Sequence, residues 1–180
     1  MNSPVVVLGA RGMLGTDLMA CLARQGIAAR GYDLPDFSIV DKNQVEKAID
    51  GAGVVINCAA YTNVEKAGSQ QALAFQVNGK AVGMLGRVAG SKKIPVLHIS
   101  TDFVFDGTLD RPYAETDASN PVSAYGASKY AGEKALIASG CRCCIVRVQW
   151  TYGRNGVNFI KKLLDTARAE IGRASCRERV

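Results

Sequence analysis

Tyr125 and Lys129 stand four residues apart in Tyr125-Gly-Ala-Ser-Lys129, inside a stretch that reads as a helix over 124–139. On a helix, positions i and i+4 share a face, so a phenol and an ammonium can point into one site. A free tyrosine titrates near pH 10, about three units too high for ready proton exchange at neutrality. A close ammonium favours the phenolate, and three units correspond to roughly 4 kcal/mol, within reach of a partly desolvated charge. The chemistry expected is proton donation from Tyr125 to a carbonyl oxygen while hydride reaches its carbon, with Lys129 tuning the phenol. Thr101 follows the apolar run at 94–99. A hydroxyl at a strand's carboxyl end can hydrogen-bond the same oxygen and align it with Tyr125. Taken singly, Thr101 also reads as the cap of a turn and Tyr125 as a half-buried aromatic, because Tyr-x-x-x-Lys is a common spacing.

A second motif raises the weight of the first. Val5-Val-Val-Leu8 is a continuous β-branched run, and Gly9-Ala-Arg-Gly12-Met-Leu-Gly15 follows it directly. Met13, Leu14, Leu18, Cys21 and Leu22 then form an apolar stripe of helical period. Strand, glycine turn and helix make the first half of a Rossmann unit. Gly9, Gly12 and Gly15 let a pyrophosphate approach the backbone, and the N–H groups around Met13 and Leu14 meet it at the positive end of the helix. The second strand ends at Asp33, about 20 residues on, where a carboxylate accepts ribose hydroxyls and repels a 2′-phosphate. Arg11 argues the other way, since a guanidinium pairs with that phosphate. A turn aspartate before Leu34-Pro35 and a solvated arginine are the plainer readings, and NADH and NADPH both remain open.

The elements that must position these groups alternate. Strands are expected at 4–8, 28–32, 53–58, 94–99 and 142–148, with a marginal one at 37–40. Helices are expected at 12–25, 42–50, 69–90, 124–139 and 157–169. This predicts an α/β fold, a Rossmann-like doubly wound parallel sheet. Residues 1–169 read as one dinucleotide-binding domain. The segment 170–180 has no apolar stripe and reads as a non-native or disordered tail.

Composition narrows the partners. The net charge is +6, but residues 161–180 hold six Lys/Arg against three Asp/Glu, so half of it lies at the C-terminal end. The rest forms no basic stripe, which argues against nucleic acid. No apolar run reaches membrane-span length and the start lacks a signal-peptide pattern, so the expectation is cytoplasmic with no membrane partner. Cys143 and Cys144 alternate to opposite faces of a strand, which argues against a joint metal site, and a cytosolic-looking chain makes a disulfide framework unexpected. His98, the single histidine, falls inside a strand and reads as a packed core residue.

The chain resembles the extended short-chain dehydrogenase/reductase family, in its dTDP-4-dehydrorhamnose reductase branch, from about Val5 to Ala169. The motifs that carry the resemblance are the glycine loop, Asn57-Cys-Ala-Ala-Tyr-Thr-Asn-Val-Glu-Lys-Ala67, Ser100-Thr-Asp-Phe-Val-Phe-Asp-Gly107 and Tyr113-Ala-Glu-Thr-Asp117. Asn120-Pro-Val-Ser-Ala-Tyr-Gly-Ala-Ser-Lys129 and Arg147-Val-Gln-Trp-Thr-Tyr-Gly153 continue it. The resemblance implies reduction of the C4 ketone of dTDP-4-dehydro-6-deoxy-L-mannose to dTDP-L-rhamnose by NADPH or NADH. It implies a catalytic trio of Thr101, Tyr125 and Lys129, which also holds the cofactor through the last two. Ala59, Ala60 and Tyr61 are implied on the nicotinamide side; Thr101, Asp102, Phe103 and Trp150 are implied on the sugar side. Asn78 matches a helix asparagine of these folds, and Cys58 replaces a small residue. The branch also implies a C-terminal substrate domain absent from this chain, magnesium only in the full-length protein, and a homodimer there. The alternatives are an epimerase of the same family and a non-catalytic regulatory subunit resembling the methionine adenosyltransferase β subunit.

Overall fold

The computed structural model describes residues 3–156 and 158–174. Five parallel strands, Val5–Leu8 (β1), Ala29–Tyr32 (β2), Val54–Asn57 (β3), Val96–Thr101 (β4) and Cys143–Val148 (β5), lie in the order β2-β1-β3-β4-β5. Val6 pairs with Arg30 on one side and Val55 on the other, so β1 is flanked on both edges. Val6, Val7 and Leu8 are fully buried, as expected of a parallel strand covered on both faces.

The helices are Met13–Arg24 (α1), Lys42–Ala48 (α2), Val64–Ala67 (α3), Gln71–Phe75 (α4), Ala81–Ser91 (α5), Ala124–Ala138 (α6) and Phe159–Ala174 (α7). Right-handed crossovers fix their sides. The chain moves one way from β1 to β2 and the other way from β2 through β5. That puts α1 on one face, and α2, α5 and α6 side by side on the other. The main core lies on that second face: Val6, Leu8, Val45, Ile49, Val55, Val82, Leu85 and Leu136 meet there. The reversal of direction beside β1 opens a crevice at the carboxyl ends of the strands, the ligand position of open α/β sheets.

Three local expectations need correction, and one short helix was not expected. The marginal strand at 37–40 is a turn segment: Asp41 N–H donates to the Ser38 carbonyl and Ser38 N–H to Gln44 Oε1. Phe37 and Ile39 are buried, so the alternation was real, but it anchors a loop. The helix expected at 69–90 is α4 and α5 joined by a π-helical turn, Gln76–Lys80. The extra residue directs the buried Asn78 toward α6, where its Nδ2 donates to Ser128 Oγ at 3.0 Å. The short α3 was not anticipated, although Asn63 caps it by accepting from Lys66 N–H at 2.9 Å. The last helix continues to Ala174 and so passes the expected boundary at 169; residues 175–180 of the expected tail lie outside the described residues.

Candidate active site

The glycine turn is built by contact. Gly9 has φ +79°, and a Cβ there would approach Ala59 N to 2.6 Å, so both the backbone conformation and the neighbouring strand end require glycine. Gly15 packs directly on the backbone of Gly9 and Ala10, with Ala10 Cα 2.8 Å from where its Cβ would be. Gly12 caps α1 without a side-chain acceptor. Among the described residues, the N–H groups of Met13, Leu14 and Gly15 find no protein acceptor. Open donors at a helix N-terminus beside a side-chain-free turn suit a pyrophosphate.

From this turn a cleft of about 1090 Å³ runs along the strand ends to α6. Gly9, Gly12, Met13, Leu14, Gly15 and Asp33 line one end. Ala59, Ala60, Thr101, Asp102, Phe103, Tyr125, Lys129 and Trp150 line the other. Two expected residues are not among those lining it. Tyr61 is held away because Asn78 ties its backbone N–H at 2.8 Å and its carbonyl at 3.0 Å, while its phenol donates to Gln70 Oε1. The Arg11 guanidinium lies over the rim, donating to the Leu34 carbonyl and Asp36 Oδ2, each at 2.8 Å. Asp33 accepts from the backbone N–H groups of Arg11 at 2.7 Å and Leu34 at 2.8 Å, one on each oxygen. Each oxygen retains a lone pair for a ligand hydroxyl.

At the other end, Thr101 closes β4 and is 5% exposed. Its hydroxyl accepts from Phe103 N–H at 3.2 Å and donates to Asp102 Oδ1 at 3.0 Å. Tyr125 stands in the first turn of α6, which Ser123 caps by accepting from Gly126 N–H at 3.0 Å. The Phe103 ring meets it edge-on, with centroids 5.7 Å apart. Burial pushes the phenol's pKa up, the Thr101 hydroxyl pulls it down, and the Asp102 carboxylate pushes it up. The expectation that Lys129 lowers this pKa is not met in this arrangement. Lys129 is only 2% exposed, and its Nζ donates to the Ile99 carbonyl at 2.7 Å instead. Desolvation draws the amine down to about 8 against the pull of Glu133 and Cys58. Burial pushes the Cys58 thiol, which also lines the cleft, up to about 11. Trp150 has φ +50° and packs its exposed indole on Phe159, centroids 4.7 Å apart.

Behind the cleft lies a buried polar layer that the sequence did not announce. Asn57, His98, Ser100 and Glu133 are each at most 3% exposed. Glu133 accepts from the Ser100 hydroxyl and, in a fork, from Arg147 Nη2 at 2.6 Å and Nε at 3.1 Å. Arg147 also donates to Ser119 Oγ at 3.1 Å and lies over the Phe105 ring. The loop between β4 and α6 is thereby fastened to the helix that carries Tyr125 and Lys129. The available signal was Glu133 at i+4 from Lys129 on α6. Among the described residues, no group of three or more His, Cys, Asp or Glu is placed to hold a metal. No helix among them is long and apolar enough to cross a membrane.

Fold and cleft together define a Rossmann-like α/β domain with a Thr, Tyr and Lys constellation at the carboxyl edge of its sheet. The chain belongs to the RmlD substrate binding domain family, which matches residues 1–172. It is 39% identical over 170 residues to a dTDP-4-keto-6-deoxy-D-glucose reductase of Streptomyces niveus, covering 91% of this chain and 58% of that protein. It is 38% identical over 165 residues to a dTDP-4-dehydrorhamnose reductase of Sinorhizobium fredii, covering 91% of this chain and 55% of that one. The crystal structure of a dTDP-4-dehydrorhamnose reductase of Bacillus anthracis in complex with NADP superposes with a TM-score of 0.89. It is 31% identical, and the match covers 94% of this chain and 61% of that one. The chain thus spans somewhat over half the length of these relatives.

Proposed function

We propose that the full-length protein reduces the C4 ketone of a dTDP-4-dehydro-6-deoxy sugar, dTDP-4-dehydro-6-deoxy-L-mannose in the first instance, with NADPH or NADH. The observation that carries this reading is the single cleft joining the open N–H groups of the glycine turn to Thr101, Tyr125 and Lys129. The relatives' reductase names support it.

A reduced nicotinamide, bound here, supplies the hydride that attacks the sugar's C4 carbon. The chain's residues do the rest. Met13, Leu14 and Gly15 donate backbone N–H groups to the pyrophosphate, and Asp33 accepts from a ribose hydroxyl. Ala59 and Ala60, short side chains at the end of β3, leave room for a flat ring. With substrate bound, the single Thr101 hydroxyl proton turns from Asp102 to the ketone oxygen and holds it beside Tyr125. The Tyr125 phenol transfers its proton to that oxygen as the C=O π pair becomes an O–H bond. An uncharged phenol, favoured by its burial, is the form that can give this proton. Lys129 lies one turn below, able to restore a proton to the phenolate afterwards. Trp150 and Phe103 offer apolar faces to the sugar or base, and Asp102 orients Thr101. The dependence on reduced nicotinamide supports a cytoplasmic location for the full-length protein. The full-length protein would pair as a homodimer, with any magnesium outside this chain.

The test has two stages. NADPH and NADH are titrated separately into this chain, with circular dichroism as the check of folding, and saturable binding of either is expected. The full-length protein is then given dTDP-4-dehydro-6-deoxy-L-mannose, and cofactor oxidation is followed by absorbance. No oxidation with either cofactor would refute the activity. Stable co-purification with a methionine adenosyltransferase, with no oxidation, would favour the regulatory reading instead.

A further inference from the structure

His98 is the chain's sole histidine and lies fully buried within β4. No step of the reduction uses it. Its ring is bracketed, with Nδ1 3.0 Å from Asn57 Nδ2 and Nε2 3.4 Å from Lys129 Nζ. The Asn57 amide has a fixed orientation, because its Oδ1 accepts from Ala59 N–H at 3.1 Å. Nδ2, which can only donate, therefore faces Nδ1. Nδ1 must accept, and the neutral ring carries its proton on Nε2.

That proton points at Lys129. An ammonium has three donors and no lone pair, so a charged Lys129 meets Nε2–H donor against donor. An uncharged amine has a lone pair for Nε2–H and still has an N–H for the Ile99 carbonyl. The other tautomer would let Nε2 accept from an ammonium. It would also turn Nδ1–H against the Asn57 amide, or sacrifice the amide's bond to Ala59. The titratable groups around the amine are His98 from β4, Cys58 beyond β3 and Glu133 one turn on along α6. Glu133 and Cys58 favour the charged form while burial, the largest influence, opposes it. The imidazole is itself held uncharged, down to about 3, by burial and by Lys129.

We infer that His98, fixed by Asn57 as its Nε2–H tautomer, is a positioning residue that seats Lys129 under the cleft floor and favours the uncharged amine. Lys129 then gains and loses its proton near neutrality and is not a permanent cation. The consequence for turnover rests on the reductase reading above; the tautomer and its coupling to Lys129 do not.

Long-range proton–nitrogen NMR of the 15N-labelled full chain tests this, because one histidine gives one ring to assign. Expected are a protonated Nε2 and an unprotonated Nδ1 at neutral pH. Nε2 should show a step near pH 8 that vanishes in Lys129→Met. In His98→Gln, whose amide can turn its oxygen toward the ammonium, the proton affinity of Lys129 should rise tenfold or more by its side-chain 13C shift, about one pKa unit. A proton on Nδ1, an imidazolium at neutral pH, or an Nε2 signal indifferent to Lys129→Met would overturn the proposal. The tautomer measurement needs no substitution at His98, so a misfolded variant cannot obscure it. A chain with the expected tautomer that binds neither nicotinamide would defeat the reductase reading and leave this one standing.

Discussion

Lys129→Met should make the chain more stable at neutral pH than at alkaline pH, relative to the parent. The amine's proton affinity falls from 10.5 to about 8 on folding. That difference is roughly 3 kcal/mol of folding free energy at about 1.4 kcal/mol per unit. Its sign follows from linkage. The folded value is depressed, so below pH 8 the folded state must carry a buried cation, and the full cost applies. As pH rises through 8 toward 10.5 the folded amine is already neutral while the unfolded one still loses its proton. The cost therefore fades, and above 10.5 it is gone. Methionine has similar volume and no charge, so it removes this cost where it exists. It also orphans the Ile99 carbonyl, now paired at 2.7 Å, at about 1–3 kcal/mol independent of pH.

The slope of the difference is thus the diagnostic quantity. Urea unfolding of both proteins is followed across this range, and the two free energies are subtracted. Contributions of Tyr125 and of other groups common to both cancel to first order. The difference should favour the variant by roughly 3 kcal/mol more at about pH 7 than above pH 10.5, which is about 1 M or more in midpoint for a typical urea slope. A difference that stays flat with pH would refute the buried, desolvated lysine. A difference that rises toward alkaline pH would reverse the sign and refute the linkage argument. Loss of reductase activity in the full-length variant would complete the trade of stability for function.

Three further outcomes are expected. Gly15→Ala drives a Cβ into the backbone of Gly9 and Ala10, so nicotinamide affinity by fluorescence titration should fall tenfold or more, about 1.4 kcal/mol; unchanged affinity would remove the turn from the site. Arg147→Met leaves the Glu133 carboxylate, 3% exposed, without its partner and should cost about 3–5 kcal/mol in urea unfolding, most of it recovered in the double variant with Glu133→Leu. Arg11→Ala should weaken NADPH binding by about tenfold and NADH little, since the exposed pair with Asp36 is worth under about 1 kcal/mol and releases the guanidinium easily to a 2′-phosphate; equal effects on both cofactors would place Arg11 outside recognition.

The legible parts of this molecule were those written in short spacings. The run Val5–Leu8, the glycine turn and Tyr125 with Lys129 each depend on neighbours within one strand, one turn or one helical face, so pattern alone located them. The pattern failed where one spacing has two physical outcomes. Phe37 and Ile39 alternate like a strand, yet the backbone between them bonds to Gln44 and Asp41. The long helix is interrupted by a π turn at Asn78, whose side chain bonds across to Tyr61 and Ser128, partners 17 and 50 residues away.

The same limit explains the most consequential miss, the direction in which Lys129 points. Spacing put it beside Tyr125 and suggested a cation working on a phenol. Its rotamer is decided by Ile99 and His98, about 30 residues back in sequence, and the state of His98 is decided in turn by Asn57 and Ala59 from another strand. A local motif can therefore name the residues of a reaction without naming their protonation states. Those belong to the layer behind the cleft, where a backbone N–H at Ala59 fixes an amide, the amide fixes an imidazole, and the imidazole bears on the amine. If that chain of constraints holds, Asn57→Asp should disturb Lys129 without touching the cleft, because either carboxylate oxygen can accept from Ala59 while the other meets Nδ1 and demands a proton there. The ring would switch to its Nδ1–H form, Nε2 would become an acceptor, and Lys129 would hold its proton to higher pH. An unchanged titration of Lys129 in that variant would show that burial alone sets its affinity.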